Sequence, residues 1–169
     1  MDFGELIAKR YSVRAYKADP VPEKLLGKVL EAARLAPTAA NRQPVRVYVV
    51  PTAGREEELR KVYHRPWFTQ APLVLCVCTV PAQAWNRVKF DGKCYADVDA
   101  AIVMDHMILA AAAAGLGTCW IADFNPAAAR EVLELPAGVE PVLFTPLGFP
   151  ADEPKPKERK PLAELVRRI

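Results

Sequence analysis

Histidine is almost missing from this chain: His64 and His106 are the only two in 169 residues. With it goes most proton-shuttle chemistry near neutral pH and any His-rich metal site. The four cysteines, Cys76, Cys78, Cys94 and Cys119, form no C-x-x-C pair, so neither a zinc ribbon nor a dithiol redox motif is spelled out and no metal site is expected. Cys76 and Cys78 stand two apart in an apolar run, on one face of a strand and too close along the chain for a relaxed bridge. They read as reduced, mostly buried thiols in a cytoplasmic protein. Glycine is scarce, eight against sixteen prolines, and P-loop, G-x-S-x-G and H-E-x-x-H motifs are all lacking. Gly115-x-Gly117 follows a helix and precedes a strand, the wrong context for a dinucleotide fingerprint, and no third glycine completes it. A net charge of +3 is small and dispersed for a nucleic-acid partner. Ala100–Leu116 is broken by Asp105 and His106, so no run of about 18 uncharged apolar residues exists to span a membrane. Met1–Glu5 shows no signal-peptide h-region.

What is present suits one domain, residues 1–169, with about half the residues apolar and enough chain for a substantial core. Asp2–Lys9 reads as a short first helix. Asp19–Pro22 is a turn, and Pro22 opens a second helix with Leu25, Leu26, Val29, Leu30 and Ala33 on one face. Val45–Val50 is a strand closed by Pro51, and Arg55–Tyr63 a charged helix with an acidic start. Leu73–Thr79, apolar throughout, predicts a strand buried on both faces. Residues 81–92 read as irregular. Tyr95–Ala114 is a long helix, apolar on nearly every side and stopped at Gly115, which belongs at the centre of a core or against another subunit. A strand at Thr118–Ala122, a helix from Asn125 to Leu135 and a strand at Pro141–Leu147 follow. Residues 151–161 are charged and proline-rich, a linker or surface arm, and 162–169 a helical turn or an edge strand. Helices and strands do not alternate regularly. The expected fold is α+β, a central mixed, mostly antiparallel sheet flanked by helices.

Acid–base candidates are few. Asp97, Asp99 and Asp105 share a helix, but positions two apart do not face each other. A bound cofactor would explain a chain so poor in catalytic side chains. Arg10-Tyr11-Ser12-Val13-Arg14 is the richest cluster: two guanidinium forks and a hydroxyl suit a phosphate. Two solvated arginines at a helix end would equally suit the helix dipole.

Three motifs in order resemble the nitroreductase-like FMN-dependent oxidoreductases, specifically their short members: Arg10–Arg14; Ala36-Pro37-Thr38-Ala39-Ala40-Asn41-Arg42-Gln43-Pro44 before a strand; and Gly115-Leu116-Gly117-Thr118-Cys119-Trp120-Ile121-Ala122-Asp123-Phe124. Pro146–Pro150 and the basic tail Lys155–Pro161 add to the likeness. The resemblance implies the nitroreductase-like fold and a homodimer with FMN at its interface, residues 151–169 forming an arm that packs there. It places Arg10, Ser12 and Arg14, with Tyr11 between them, at the FMN phosphate and nearby atoms, joined by Lys157 and Arg159. Pro37, Thr38, Ala39 and Asn41 would reach the ring from the partner chain. Trp120, Ile121, Ala122 and Asp123 would lie along the flavin, with a backbone N–H near Ala122 directed at N5. No side chain is then catalytic in the acid–base sense. Hydride would pass from NAD(P)H through N5 to a nitroaromatic, quinone or similar electrophile in a ping-pong cycle. The alternative is a flavin-binding or storage protein without NAD(P)H turnover of its own. Trp120 and Phe124 are expected near the flavin, and Trp67 and Trp85 are left open. Residues 81–92 are the room available for a lid. The polar residue that longer members place near the ring is to be sought in Tyr63–Trp67. Each histidine reads as structural.

Overall fold

The apolar run Leu73–Thr79 becomes the strand on which both halves of the core rest. The computed structural model describes residues 1–169. Its elements are α1 (Phe3–Lys9), α2 (Glu23–Leu35), β1 (Val45–Pro51), α3 (Glu56–Val62), β2 (Leu73–Thr79), α4 (Ala96–Ala113), β3 (Gly117–Thr118), α5 (Pro126–Val132), β4 (Glu140–Gly148) and α6 (Leu162–Leu165). The four strands lie in the order β1-β2-β4-β3, every named pair antiparallel. A single parallel bridge, Ser12 to Thr118, adds the mixed character.

Side chains alternate across β2 as strand geometry requires. Leu75 and Val77 point to one face, where Leu26 and Val29 of α2 and Val103, Met104 and Met107 of α4 cover them. Val74, Cys76 and Cys78 point to the other, beside Phe144 of β4 and under Leu59, Val62, Phe68 and Val132. The result is three layers: α2 and α4, the sheet, then α3 and α5.

Local chemistry marks the helix ends. The Asp2 carboxylate accepts the Glu5 N–H at 2.8 Å, and Asn125 accepts those of Ala127 and Ala128 at 3.0 and 3.1 Å. α4 ends in a Schellman turn. Leu116 N–H bonds the Ala111 carbonyl and Gly115 N–H that of Ala112, with Gly115 at φ 77°.

Three expected boundaries move. The strand expected over Thr118–Ala122 is only Gly117–Thr118, because the Cys119 N–H donates to the Thr145 hydroxyl at 3.0 Å instead of to a strand carbonyl. Ile121 rejoins β4 through two 2.9 Å bonds with Phe144. The last long helix stops at Val132 and not Leu135, since Glu134 has φ 50° and cannot continue a right-handed helix. Within the stretch 81–92 expected to be irregular, and running on to Tyr95, residues 85–95 form a hairpin: Tyr95 N–H bonds Trp85 O, and Arg87 N–H bonds Lys93 O. No helix is long and apolar enough to cross a membrane.

Candidate functional site

The Arg10–Arg14 segment leaves α1 and docks into the sheet edge. Val13 donates its N–H to the Thr118 carbonyl at 2.9 Å and buries its side chain on Gly117. A Cβ on Gly117 would come within 2.7 Å of Val13 Cγ2, so the residue must be glycine for the segment to lie this close. The Tyr16 hydroxyl donates to Val13 O at 2.9 Å and locks the turn. Alternation along this short extended stretch then sends Arg10, Ser12 and Arg14 away from Val13, toward solvent.

The C-terminal chain comes to meet them. Tyr16 bridges Pro150, and Ala151 N–H bonds Ala15 O at 2.8 Å. An open groove of about 620 Å³ results, lined by Arg10, Tyr11, Ser12 and Arg14 from one end of the chain and by Asp152, Glu153 and Lys155–Arg159 from the other. Arg10, Arg14, Lys155, Lys157 and Arg159 face Asp152, Glu153 and Glu158, which leaves two positive charges in excess.

Each cation is held differently. Arg14 lies 6.0 Å above the Trp67 ring, a cation–π contact that fixes the guanidinium from behind. Lys157 donates to the carbonyls of Ile7, at 2.9 Å, and Ala8, the last turn of α1. A cation there also suits the negative helix end. Desolvation, with Arg10 and Arg159 close by, holds the Lys157 ammonium below its usual pKa. Arg159 contacts only the neighbouring Glu158 carbonyl. Asp152, which sequence reading passed over, joins the two ends: it accepts the Arg14 N–H and the Tyr11 hydroxyl. Burial first, and then the Asp152 carboxylate, push the Tyr11 phenol up to about 12.

Cys119 follows the residue paired with Ser12. Burial raises its thiol pKa, partly offset by Arg14, Ser12 and Arg10. Beyond it, Trp120 is 40% exposed. Ile121 is buried and both its backbone groups bond Phe144, whereas the N–H groups of Ala122 and Asp123 have no partner in the chain. Phe124 packs edge-on against Phe144 at 4.8 Å and belongs to the α5 side of the core.

Pro37, Thr38, Ala39 and Asn41 do not line this groove. They form a separate loop in which Ala40, Asn41 and Gln43 take φ of 49°, 53° and 51°. Three non-glycine residues in the left-handed region are sparsely populated conformations that the surroundings must impose. Two contacts impose them: Gln43 N–H bonds the Thr38 hydroxyl at 3.0 Å, and Ala39 N–H bonds Asp99 Oδ1 at 2.8 Å. Asp99, in the first turn of α4, is 1% exposed, and its Oδ2 is unpartnered. A search for paired carboxylates does not find it, because it acts alone on a loop sixty residues away.

The Tyr63–Trp67 stretch offers aromatic surface, Tyr63 standing edge-on to Trp67 at 5.5 Å and to Phe68 at 5.4 Å. Trp85 packs on Tyr95 at the hairpin base. His106 Nδ1 pairs with the Ile102 carbonyl at 3.0 Å. No group of three or more potential metal ligands comes together.

A model of the Nitroreductase family matches residues 7–64 and 53–149 of this chain. The chain belongs to the nitroreductase family. A protein of Thermus thermophilus named NADH dehydrogenase is 31% identical, over 94% of this chain and 91% of its own length. An FMN reductase [NAD(P)H] of Bacillus subtilis is also 31% identical, over 89% of this chain and 66% of its own length. The crystal structure of a nitroreductase family protein from Clostridium difficile 630 superposes with a TM-score of 0.90 at 40% identity, covering 99% of this chain and 98% of the other. The fold is therefore the α+β nitroreductase fold and the protein an enzyme of that family.

Proposed function

We propose that this nitroreductase-family protein is an FMN-dependent oxidoreductase that takes electrons from NAD(P)H and delivers them to a nitroaromatic, quinone or similar flat electrophile. The observation that carries the reading is the groove with cations from both chain ends and two positive charges in excess. A phosphate monoester carries roughly two negative charges at neutral pH, and paired guanidinium forks with a hydroxyl between them are the donors it takes best. Relatives named FMN reductase [NAD(P)H] and NADPH-dependent oxidoreductase support the same cofactor and donor.

When bound, FMN supplies hydride acceptance at N5 and its return to an acceptor in a ping-pong cycle. The chain's own part is to bind and orient. Arg10, Ser12 and Arg14 would take the phosphate on a backbone pinned to the sheet, with Lys157 and Arg159 closing from the arm. The free N–H groups of Ala122 and Asp123 are the donors left for the ring edge, since that of Ile121 is used by Phe144. Trp67 offers flat apolar surface beneath the Arg14 guanidinium, and Trp120 is exposed enough to offer another. No histidine lines the groove, and the proton that accompanies hydride to the acceptor would come from water.

The working form is proposed to be a homodimer in the cytoplasm. The Pro37–Asn41 loop lies outside the groove of its own chain, so a second copy would bring it to the ring. Large apolar side chains stand exposed where a second copy could cover them: Phe3 and Ile7 on α1, Leu35, Val98, and Leu162, Leu165, Val166 and Ile169 on the arm. The hairpin 85–95 presents Val88 and Phe90 at 77% and 85% exposure, a lid for a flat acceptor.

The test is spectroscopic. Purified protein, or protein mixed with FMN and desalted, should show flavin absorbance that NADH or NADPH bleaches under anaerobic conditions and that a quinone restores. Bound FMN that neither nicotinamide reduces favours a storage protein. If no flavin is retained, the proposal fails.

A further inference from the structure

A carboxylate is an unexpected neighbour for a phosphate, yet Asp152 stands inside the cationic groove. Its Oδ2 accepts the Arg14 N–H at 2.8 Å, and its own carbonyl and Oδ1 accept the Tyr11 hydroxyl at 2.7 and 3.2 Å. These bonds join positions 138 and 141 residues apart. Asp152 is half-buried, whereas every residue after it, Glu153 to Ile169, is exposed. Beyond it the arm returns to the body of the chain through one further set of hydrogen bonds, from Lys157 to the end of α1.

We infer that Asp152 is the clasp of the groove, a positioning residue that fixes Tyr11 and the Arg14 backbone to the root of the arm so that cations from both chain ends stand in place before an anion arrives. The inference rests on the reading of the groove as the FMN phosphate site. An untethered arm would have to be ordered by the ligand, and that conformational entropy would be subtracted from affinity. The clasp removes the loss in advance. Its negative charge does not spoil the groove, because its oxygens are occupied by the Arg14 and Tyr11 donors and the cations still outnumber the carboxylates. The raised pKa of Tyr11 keeps the phenol a donor across the physiological range.

Because the clasp acts on the phosphate end, it should discriminate FMN from riboflavin, which has the same ring and no phosphate. The experiment is fluorescence titration of flavin-free protein with each, for wild type, Asp152→Ala, Asp152→Asn and Tyr11→Phe. Asp152→Ala should weaken FMN about tenfold, the size of one hydrogen bond to a charged group, and leave riboflavin unchanged. Asp152→Asn keeps an oxygen for the Arg14 N–H and the backbone carbonyl for Tyr11, so it should stay within about threefold of wild type. An Asp152→Ala protein with the wild-type FMN-to-riboflavin ratio overturns the clasp, and so does an Asp152→Asn protein as impaired as Asp152→Ala. Should Asp152→Ala show no cooperative melt, Tyr11→Phe decides: a fall in the ratio supports the clasp, an unmoved ratio overturns it. Wild-type protein that binds neither flavin overturns the FMN reading and the clasp with it. Failure of the clasp alone leaves wild-type FMN binding intact.

Discussion

The two halves of the cationic groove both supply cations, on very different supports. The N-terminal half is part of the core: Val13 is buried on Gly117, its N–H bonds Thr118, and Tyr16 closes over its carbonyl. The C-terminal half is exposed at every residue after Asp152 and, beyond the Asp152 clasp at its root, is held by Lys157 alone. A cation on a rigid backbone loses little freedom when an anion binds, while one on an exposed arm, even clasped at its root, has more freedom left to lose. Arg10 and Arg14 should therefore dominate affinity, and Lys157 and Arg159 should add smaller amounts.

The sharpest way to break this comparison is to remove the rigid cations. Arg10→Ala with Arg14→Ala should weaken FMN by roughly a hundredfold or more, as expected from losing two charge-assisted contacts, while gel filtration and the far-UV spectrum stay those of wild type. Wild-type FMN retention in that double variant would remove the phosphate assignment. Next in size is the support itself. Gly117→Ala pushes a methyl into Val13 and should lower stability by about 1–3 kcal/mol, as overpacking does, read as a lower Tm with FMN affinity falling alongside. A larger change on the exposed arm, such as Glu158→Ala, should leave Tm where it was.

Lys157→Ala tests the flexible half. It should weaken FMN by about fivefold, a modest effect for one exposed cation, and lower Tm slightly through the lost contact with the end of α1. Equal losses from Lys157→Ala and from either N-terminal arginine variant would show the two halves to be equivalent after all. The smallest effect is a pH dependence. Burial first, and then the Asp152 and Glu153 carboxylates, raise the Tyr11 phenol from its ordinary 10.0 to about 12 in the fold. Its contribution to stability is thus full below pH 10 and is lost as pH rises from 10 to 12. The Tm difference between wild type and Tyr11→Phe should shrink to nothing across that window, and a difference that persists at pH 12 contradicts the raised phenol pKa.

Much of the frame was legible from local pattern. The apolar run at β2, the one-sided α2, the Asn125 cap and the Gly115 stop each act within a few residues, and each came out as read. The shortened β3 was not legible, because the Thr145 hydroxyl that takes the Cys119 N–H lies on another strand. Trp67 stayed open until Arg14 was seen above it. Asp99 was set aside for lack of a paired carboxylate, and only the fold brings Ala39 to it.

By itself the sequence determined most of the helices and strands, the two-sided core and the membership of the nitroreductase family, since periodicity, caps and short motifs act over a few residues and leave a local trace. The tertiary structure alone decided how the site is assembled: which oxygen holds Arg14, where Lys157 rests, and that the two chain ends share one groove. Those contacts span 138 to 150 residues, and no spacing along a single chain records a hydrogen bond between its ends.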